Sequence, residues 1–145
     1  MSETDEPFDG LPAVTAAELK SMREYIGLDV SWVAKKLAIG ERRITRMEAG
    51  GESIVFAVVE LLDEAHADAK ALVDKLVAFH RRAVKRTGCD SMLTTYRNDE
   101  QAAEAGFRWP ARWHRHVAAR VADAAPGVVL IYPDTPASPP VRATD

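Results

Sequence analysis

Lys35, Lys36, Arg42, Arg43 and Arg46 crowd one short stretch of the chain, with Glu41 as the acid set against them. Ammonium and guanidinium groups gathered in this way suit charge-assisted hydrogen bonds to phosphate. Arginine can also bond O6 and N7 of guanine with two parallel N–H groups. Arg42 and Arg46 are four positions apart, so on a helix they share a face and reach neighbouring base pairs. Glu41 and Thr45 fall on the same outer face, and Arg43 lies at its edge, suited to either base or phosphate. Lys35 and Lys36 come from a preceding segment and fit phosphate contacts, which position a protein on DNA without reading sequence. The plainer alternative is a solvated, charged surface.

Other chemistry finds less support. His114 and His116 are two apart and point to different faces of a helix, whereas shared metal ligation wants a spacing of four. His66 and His80 fall in separate turns. Cys89 follows Gly88 with no second cysteine near it, so it carries no sign of an activated thiolate. No phosphate-binding loop, dinucleotide fingerprint or nucleophile elbow is present. The expectation is a non-enzyme without metal or cofactor.

The basic cluster must be carried by something, and Gly27 to Gly51 reads as two short amphipathic helices joined by a tight turn. Asp29 occupies an N-cap position before a helix from Val30 to about Leu37, whose Val33, Ala34 and Leu37 share an apolar face. Ala38, Ile39 and Gly40 form the turn. The second helix runs from Glu41 to Ala49, buries Ile44 and Met47, and is stopped by Gly50. Two helices, a short turn and an exposed arginine face are the parts of a helix-turn-helix.

On these residues the chain resembles the lambda-repressor/Cro-like (XRE) DNA-binding family. The matching positions are Ile26, Gly27, Leu28, Asp29, Val33, Ala34, Leu37, Ile39, Ile44, Glu48, Ala49 and Gly50. Val30 stands where that family places a glutamine, Gly40 where it places a hydroxyl cap, and Ala49 where it places asparagine. The resemblance implies a five-helix DNA-binding domain. It also implies a structural ion pair between Arg23, on the helix before the motif, and Glu48.

Around this centre the chain, 145 residues long with a net charge of −3, divides into four parts. Residues 1–13 are acidic and proline-bearing, and are expected to be a disordered tail. Residues 14–62 hold the helix-turn-helix domain. It opens with a Thr15–Glu18 capping box, a Val14–Leu19 staple, and a helix burying Leu19, Met22 and Ile26. Residues 63–132 are expected to form a long helix and a small α+β dimerisation module, and residues 133–145 a second disordered tail. The long helix runs from Val55 to about Arg86. Leu62, Ala65, Ala69, Leu72, Leu76, Phe79 and Ala83 alternate along it by three and four. That stripe suits either packing across a two-fold axis or an ordinary core. Ser91 to Tyr96 and Val128 to Tyr132 read as strands. Two strands make a poor sheet, so completion by a second subunit or cover from the long helix is expected. Between them lie a short helix capped by Asn98 and a helix from Pro110 with Trp113, Val117 and Val121 as its buried stripe. This layout, through Tyr96, Trp113, Val117, Ala118 and Ala119, is similar to the small YdiL-type (DUF1870) group and to anti-CRISPR-associated autorepressors. The resemblance implies a C-terminal dimerisation module, and with the stripe of the long helix it makes Leu72, Leu76, Phe79, Trp113 and Val117 the expected dimerisation residues.

A net negative chain is not a general nucleic-acid binder, so any attraction for DNA must be local. No apolar run reaches membrane-spanning length, nothing resembles a secretory signal, and the single cysteine fits a reducing compartment. The class expected is therefore mainly α: a homodimeric, sequence-specific transcriptional repressor on an inverted-repeat DNA operator. It is expected to be cytoplasmic and nucleoid-associated, with room for a second protein partner and no membrane contact. Two alternatives stay open: an antitoxin or adaptor whose helix-turn-helix fold serves protein binding, and an RNA binder.

Overall fold

The computed structural model describes residues 14–135; both expected tails, apart from residues 133–135, lie outside that range. The described chain is mainly helical, with six helices and a small two-stranded sheet, and packs as two compact units divided after Asp68.

The first unit contains α1 (Ala16–Ile26), α2 (Val30–Leu37), α3 (Glu41–Ala49) and the start of α4 (Phe56–Thr87). The Thr15 hydroxyl accepts from the Glu18 amide at 3.0 Å, and the Glu18 carboxylate accepts from the Thr15 amide at 3.0 Å. This reciprocal pair fixes where α1 begins. Asp29 stands at the N-cap of α2 without a side-chain bond to the helix amides. Leu19, Ile26, Leu28, Val33, Ile44, Met47, Val58 and Leu62 are all buried, and α3 packs against both α1 and α2. Met22 departs from its expected place in this core: it is 36% exposed, and Arg23 takes the buried position beside it.

Arg23 uses all three of its nitrogens. Nε donates to Glu48 Oε2 at 2.6 Å, Nη2 to Glu48 Oε1 at 2.9 Å, and Nη1 to the Leu28 carbonyl at 2.9 Å. The side chains keep only 10% and 6% of their exposure. One guanidinium thus ties α1 to the end of α3 and to Leu28, two residues before α2 begins.

The expected fifth helix of this unit does not occur among the described residues. Phe56–Thr87 is one helix of 32 residues, because that stretch has neither glycine nor proline and is rich in alanine, with leucine, lysine and arginine spread along it. Leu62 and Ala65 belong to the first core, which is why the compact unit ends at Asp68 rather than Leu62.

The second unit holds the rest of α4, then β1 (Ser91–Thr94), α5 (Asp99–Glu104), α6 (Ala111–Ala124) and β2 (Val128–Ile131). The strands need no second subunit to find a partner. They pair with each other in parallel, Ser91 opposite Val128 through Thr94 opposite Ile131. A parallel pair requires a crossover, and α5 and α6 supply it. Gly127 turns the chain into β2 at φ +90°, and a Cβ there would meet Val84 at 3.1 Å. Only glycine satisfies both conditions without strain. Trp113, Val117 and Val121 are buried with Leu93 and Val128 in this unit's core. Residues 133–135 belong to the fold rather than to a tail: Tyr132 N–H donates to Thr135 Oγ1 at 2.8 Å, and Arg97 pairs with Asp134 at 2.9 Å.

His114 is the polar member of the second core. It shares a 2.8 Å hydrogen bond with the Thr95 hydroxyl and packs edge-on against Tyr96 and Phe107. Burial pushes its imidazole down to about 4.

Two stability predictions follow from these buried groups. Glu48→Ala leaves an uncompensated guanidinium and should cost roughly 3–5 kcal/mol in chemical denaturation; an unchanged midpoint would show that the pair does not hold the unit. His114 is neutral when folded and gains a proton more readily when unfolded. Its contribution is therefore complete above about pH 6.5 and is lost as pH falls toward 4. The loss is roughly 3 kcal/mol between pH 7 and pH 4, read as the difference between the parent and His114→Asn. Parallel pH profiles for the two proteins would refute it.

Candidate nucleic-acid interface

The short turn between α2 and α3 decides which face of α3 is free. Ala38 adopts the left-handed conformation (φ 54°), and its N–H bonds back to the Ala34 and Lys35 carbonyls. Ile39 N–H then reaches the Ala34 carbonyl at 3.0 Å. Gly40 follows in extended conformation and its carbonyl accepts from Ile44, opening α3. Ile44 and Met47 are fully buried and pin α3 by one side. At 100° per residue, Glu41, Arg42, Thr45 and Arg46 are left on the opposite side, where all four are exposed, as is Arg43.

These side chains differ in what holds them. Thr45 Oγ1 donates to the Glu41 carbonyl at 3.0 Å, one turn back along α3. Arg42, Lys35 and Lys36 are exposed and make no ion pair or hydrogen bond among the described residues. Arg43 and Arg46 are tied by one carboxylate: Glu52 Oε2 accepts from Arg43 Nε at 2.5 Å, and Oε1 from Arg46 Nε at 3.1 Å. The Arg43 hydrogen bond, then that of Arg46, holds the Glu52 carboxyl below its usual range. Glu41 is therefore not alone against the cluster. Glu52 lies past the end of α3, where a charge inventory along the helix does not look. Its signal is the Gly50-Gly51 pair, which lets the chain reverse.

The reversal has a definite geometry. Gly50 sits at φ 86° and Gly51 N–H donates to the Arg46 carbonyl at 2.9 Å. These turn the backbone back along α3 and carry Glu52 alongside Arg43 and Arg46.

The residues expected to serve dimerisation separate into two sets. Trp113 and Val117 are 2% and 1% exposed: they form the core of the second unit, and no surface is left on them for another chain. Leu72 and Leu76 are half-buried and Phe79 is 55% exposed. At i, i+4 and i+7 these three share one face of α4, while Val73 and His80 turn inward.

His80 Nδ1 lies 2.7 Å from Ser91 Oγ and is buried, which lowers its proton affinity. With His114 on Thr95, both buried histidines join secondary-structure elements. Cys89 is exposed. Among the described residues no three His, Cys, Asp or Glu side chains gather as a metal site would need, and no helix is long and apolar enough to cross a membrane. No protein-family model matches the chain, and no curated protein is significantly similar to it.

Proposed function

We propose that the chain is a sequence-specific, DNA-binding transcriptional regulator of the lambda-repressor/Cro-like kind, acting as a homodimeric repressor, in some settings of its own gene. One observation carries this reading: α3 is seated by Ile44 and Met47 so that Arg42 and Arg46 stand one turn apart on its free side. In this reading α3 is the recognition helix and enters the major groove. Arg42 and Arg46 each present a planar fork to guanine, with a discrimination of about 1–3 kcal/mol per good pair. Lys35 and Lys36, on the helix before it, hold phosphates. Repression is steric, since a protein seated in the groove excludes polymerase from the same duplex.

The homodimer rests on a separate observation. Leu72, Leu76 and Phe79 offer an apolar stripe on α4, and a phenylalanine with more than half its surface in water suits a second helix of the same kind. A two-fold dimer would bind an operator of matching symmetry, with half-sites roughly 34–36 Å apart. The same stripe could instead receive a different protein, which is the adaptor reading. The arginine face of α3 favours DNA, because an adaptor has no use for it.

Selection from a random duplex pool should recover an inverted repeat. Against it, Arg42→Ala or Arg46→Ala should relax preference at one position per half-site. Lys36→Ala should instead weaken all sequences alike and flatten the salt slope by about 1. If both arginine variants discriminate as the parent does, α3 is not the reading helix. Phe79→Glu should turn a dimer into a monomer in light scattering; a parent protein already monomeric at micromolar concentration would remove the dimer from the proposal.

A further inference from the structure

We propose that Glu52 is a positioning residue for sequence reading: its carboxylate aims Arg46 at the bases and restrains Arg43 from the phosphates. The inference rests on the DNA-reading proposal above and adds a residue that lies off the recognition helix. Both bonds to Glu52 use Nε, at 2.5 Å from Arg43 and 3.1 Å from Arg46. The terminal amino groups of both guanidiniums carry no partner among the described residues. An arginine held by Nε keeps its outer edge presented but loses much of its rotamer freedom. Less ordering then remains to be done when a base is engaged. Arg42, on the same face, has no such support. The two readers are thus unlike: Arg46 is preorganised and Arg42 is free.

The second effect is electrostatic. Phosphate attraction is blind to sequence and grows with each cation that reaches the backbone. A carboxylate shared by Arg43 and Arg46 opposes that attraction where the basic cluster is densest. Base contacts then carry a larger share of the binding. Glu52 is itself half-buried and fixed by the Gly50-Gly51 reversal, so the carboxylate is an anchored part of the face.

Charge and position are separable by two variants of the full chain, measured against a selected operator duplex and a scrambled duplex over a range of salt. Glu52→Gln removes the charge and weakens the hold. It should bind the scrambled duplex more tightly, steepen the salt slope by about 1, and reduce the ratio of operator to scrambled affinity about tenfold. Glu52→Asp keeps the charge but draws the carboxylate back by one methylene. It should retain the parent's salt slope and still lose discrimination at the base pair that Arg46→Ala relaxes. Thermal midpoints of both variants should stay near that of the parent, which sets this role apart from a purely structural one. A parent that discriminates, with Glu52→Gln and Glu52→Asp discriminating equally well, overturns the role of Glu52 alone. A parent that binds both duplexes equally, or neither, overturns the DNA-reading proposal and this one with it.

Discussion

The first unit depends on a guanidinium that is largely withdrawn from water. Burying Arg23 is unfavourable unless its nitrogens find acceptors and its charge meets an opposite one. Glu48 supplies both carboxylate oxygens and Leu28 supplies a carbonyl. Because the three acceptors come from the end of α3 and from the residue before Asp29, the bonds hold only when α1, the entry to α2 and the exit of α3 are in register. An apolar contact at the same place would tolerate sliding by a fraction of an ångström. A two-pronged carboxylate–guanidinium pair does not. The benefit is therefore orientation as much as stability: α3 keeps one face inward through Ile44 and Met47, and the arginines keep the other.

The second unit solves a different problem. A two-stranded sheet is marginal in water unless its apolar faces are covered, and here Trp113, Val117 and Val121 of α6 are buried alongside Leu93 and Val128. Polar groups then fix what apolar packing leaves loose. His80 meets Ser91 at the start of β1, and His114 meets Thr95 just past its end. Pro110 has no side-chain donor or acceptor with which to cap α6. Asp99, twelve residues before Ala111, accepts from the Ala111 amide at 2.9 Å instead and so joins the start of α5 to the start of α6. Arg115 adds bonds to the Tyr96 and Arg97 carbonyls. The crossover between the strands is held by side chains at nearly every bend.

What could be read from sequence follows the range of the interactions. The starts and stops of α1, α2 and α3 are set by neighbours within four residues, such as Thr15 with Glu18 and Gly50 with Arg46, and they are legible for that reason. The partnership of β1 with β2 spans more than thirty residues and depends on α5 and α6 folding between them. Strand propensity marks each segment but not its direction or mate. Periodicity has the same limit on α6. It identifies Trp113 and Val117 as an apolar stripe without saying whether the stripe meets its own chain or another, and here it meets its own. Helical spacing does not reveal Glu52, because its carboxylate arrives by a backbone reversal after α3 has ended.

The charge distribution gives these local facts a common consequence. A chain with net charge −3 is not attracted to a polyanion as a whole, and in the first unit the basic cluster and a run of carboxylates stand on different elements. Lys35, Lys36, Arg42, Arg43 and Arg46 are exposed on α2 and α3, while Glu60, Asp63, Glu64 and Asp68 are exposed on α4. At physiological salt, charges separated by more than about 8 Å are largely screened from one another, so a phosphate close to α3 responds chiefly to the cations beside it. A phosphate approaching α4 meets carboxylates. In the proposed DNA-reading role, this arrangement would favour one orientation on a duplex without the high overall charge that would hold the protein to any DNA. Under that proposal orientation by charge and reading by arginine are separate tasks, and the Glu52 bridge lies where the two meet, since it joins Arg43, a cation of the cluster, to the proposed reader Arg46.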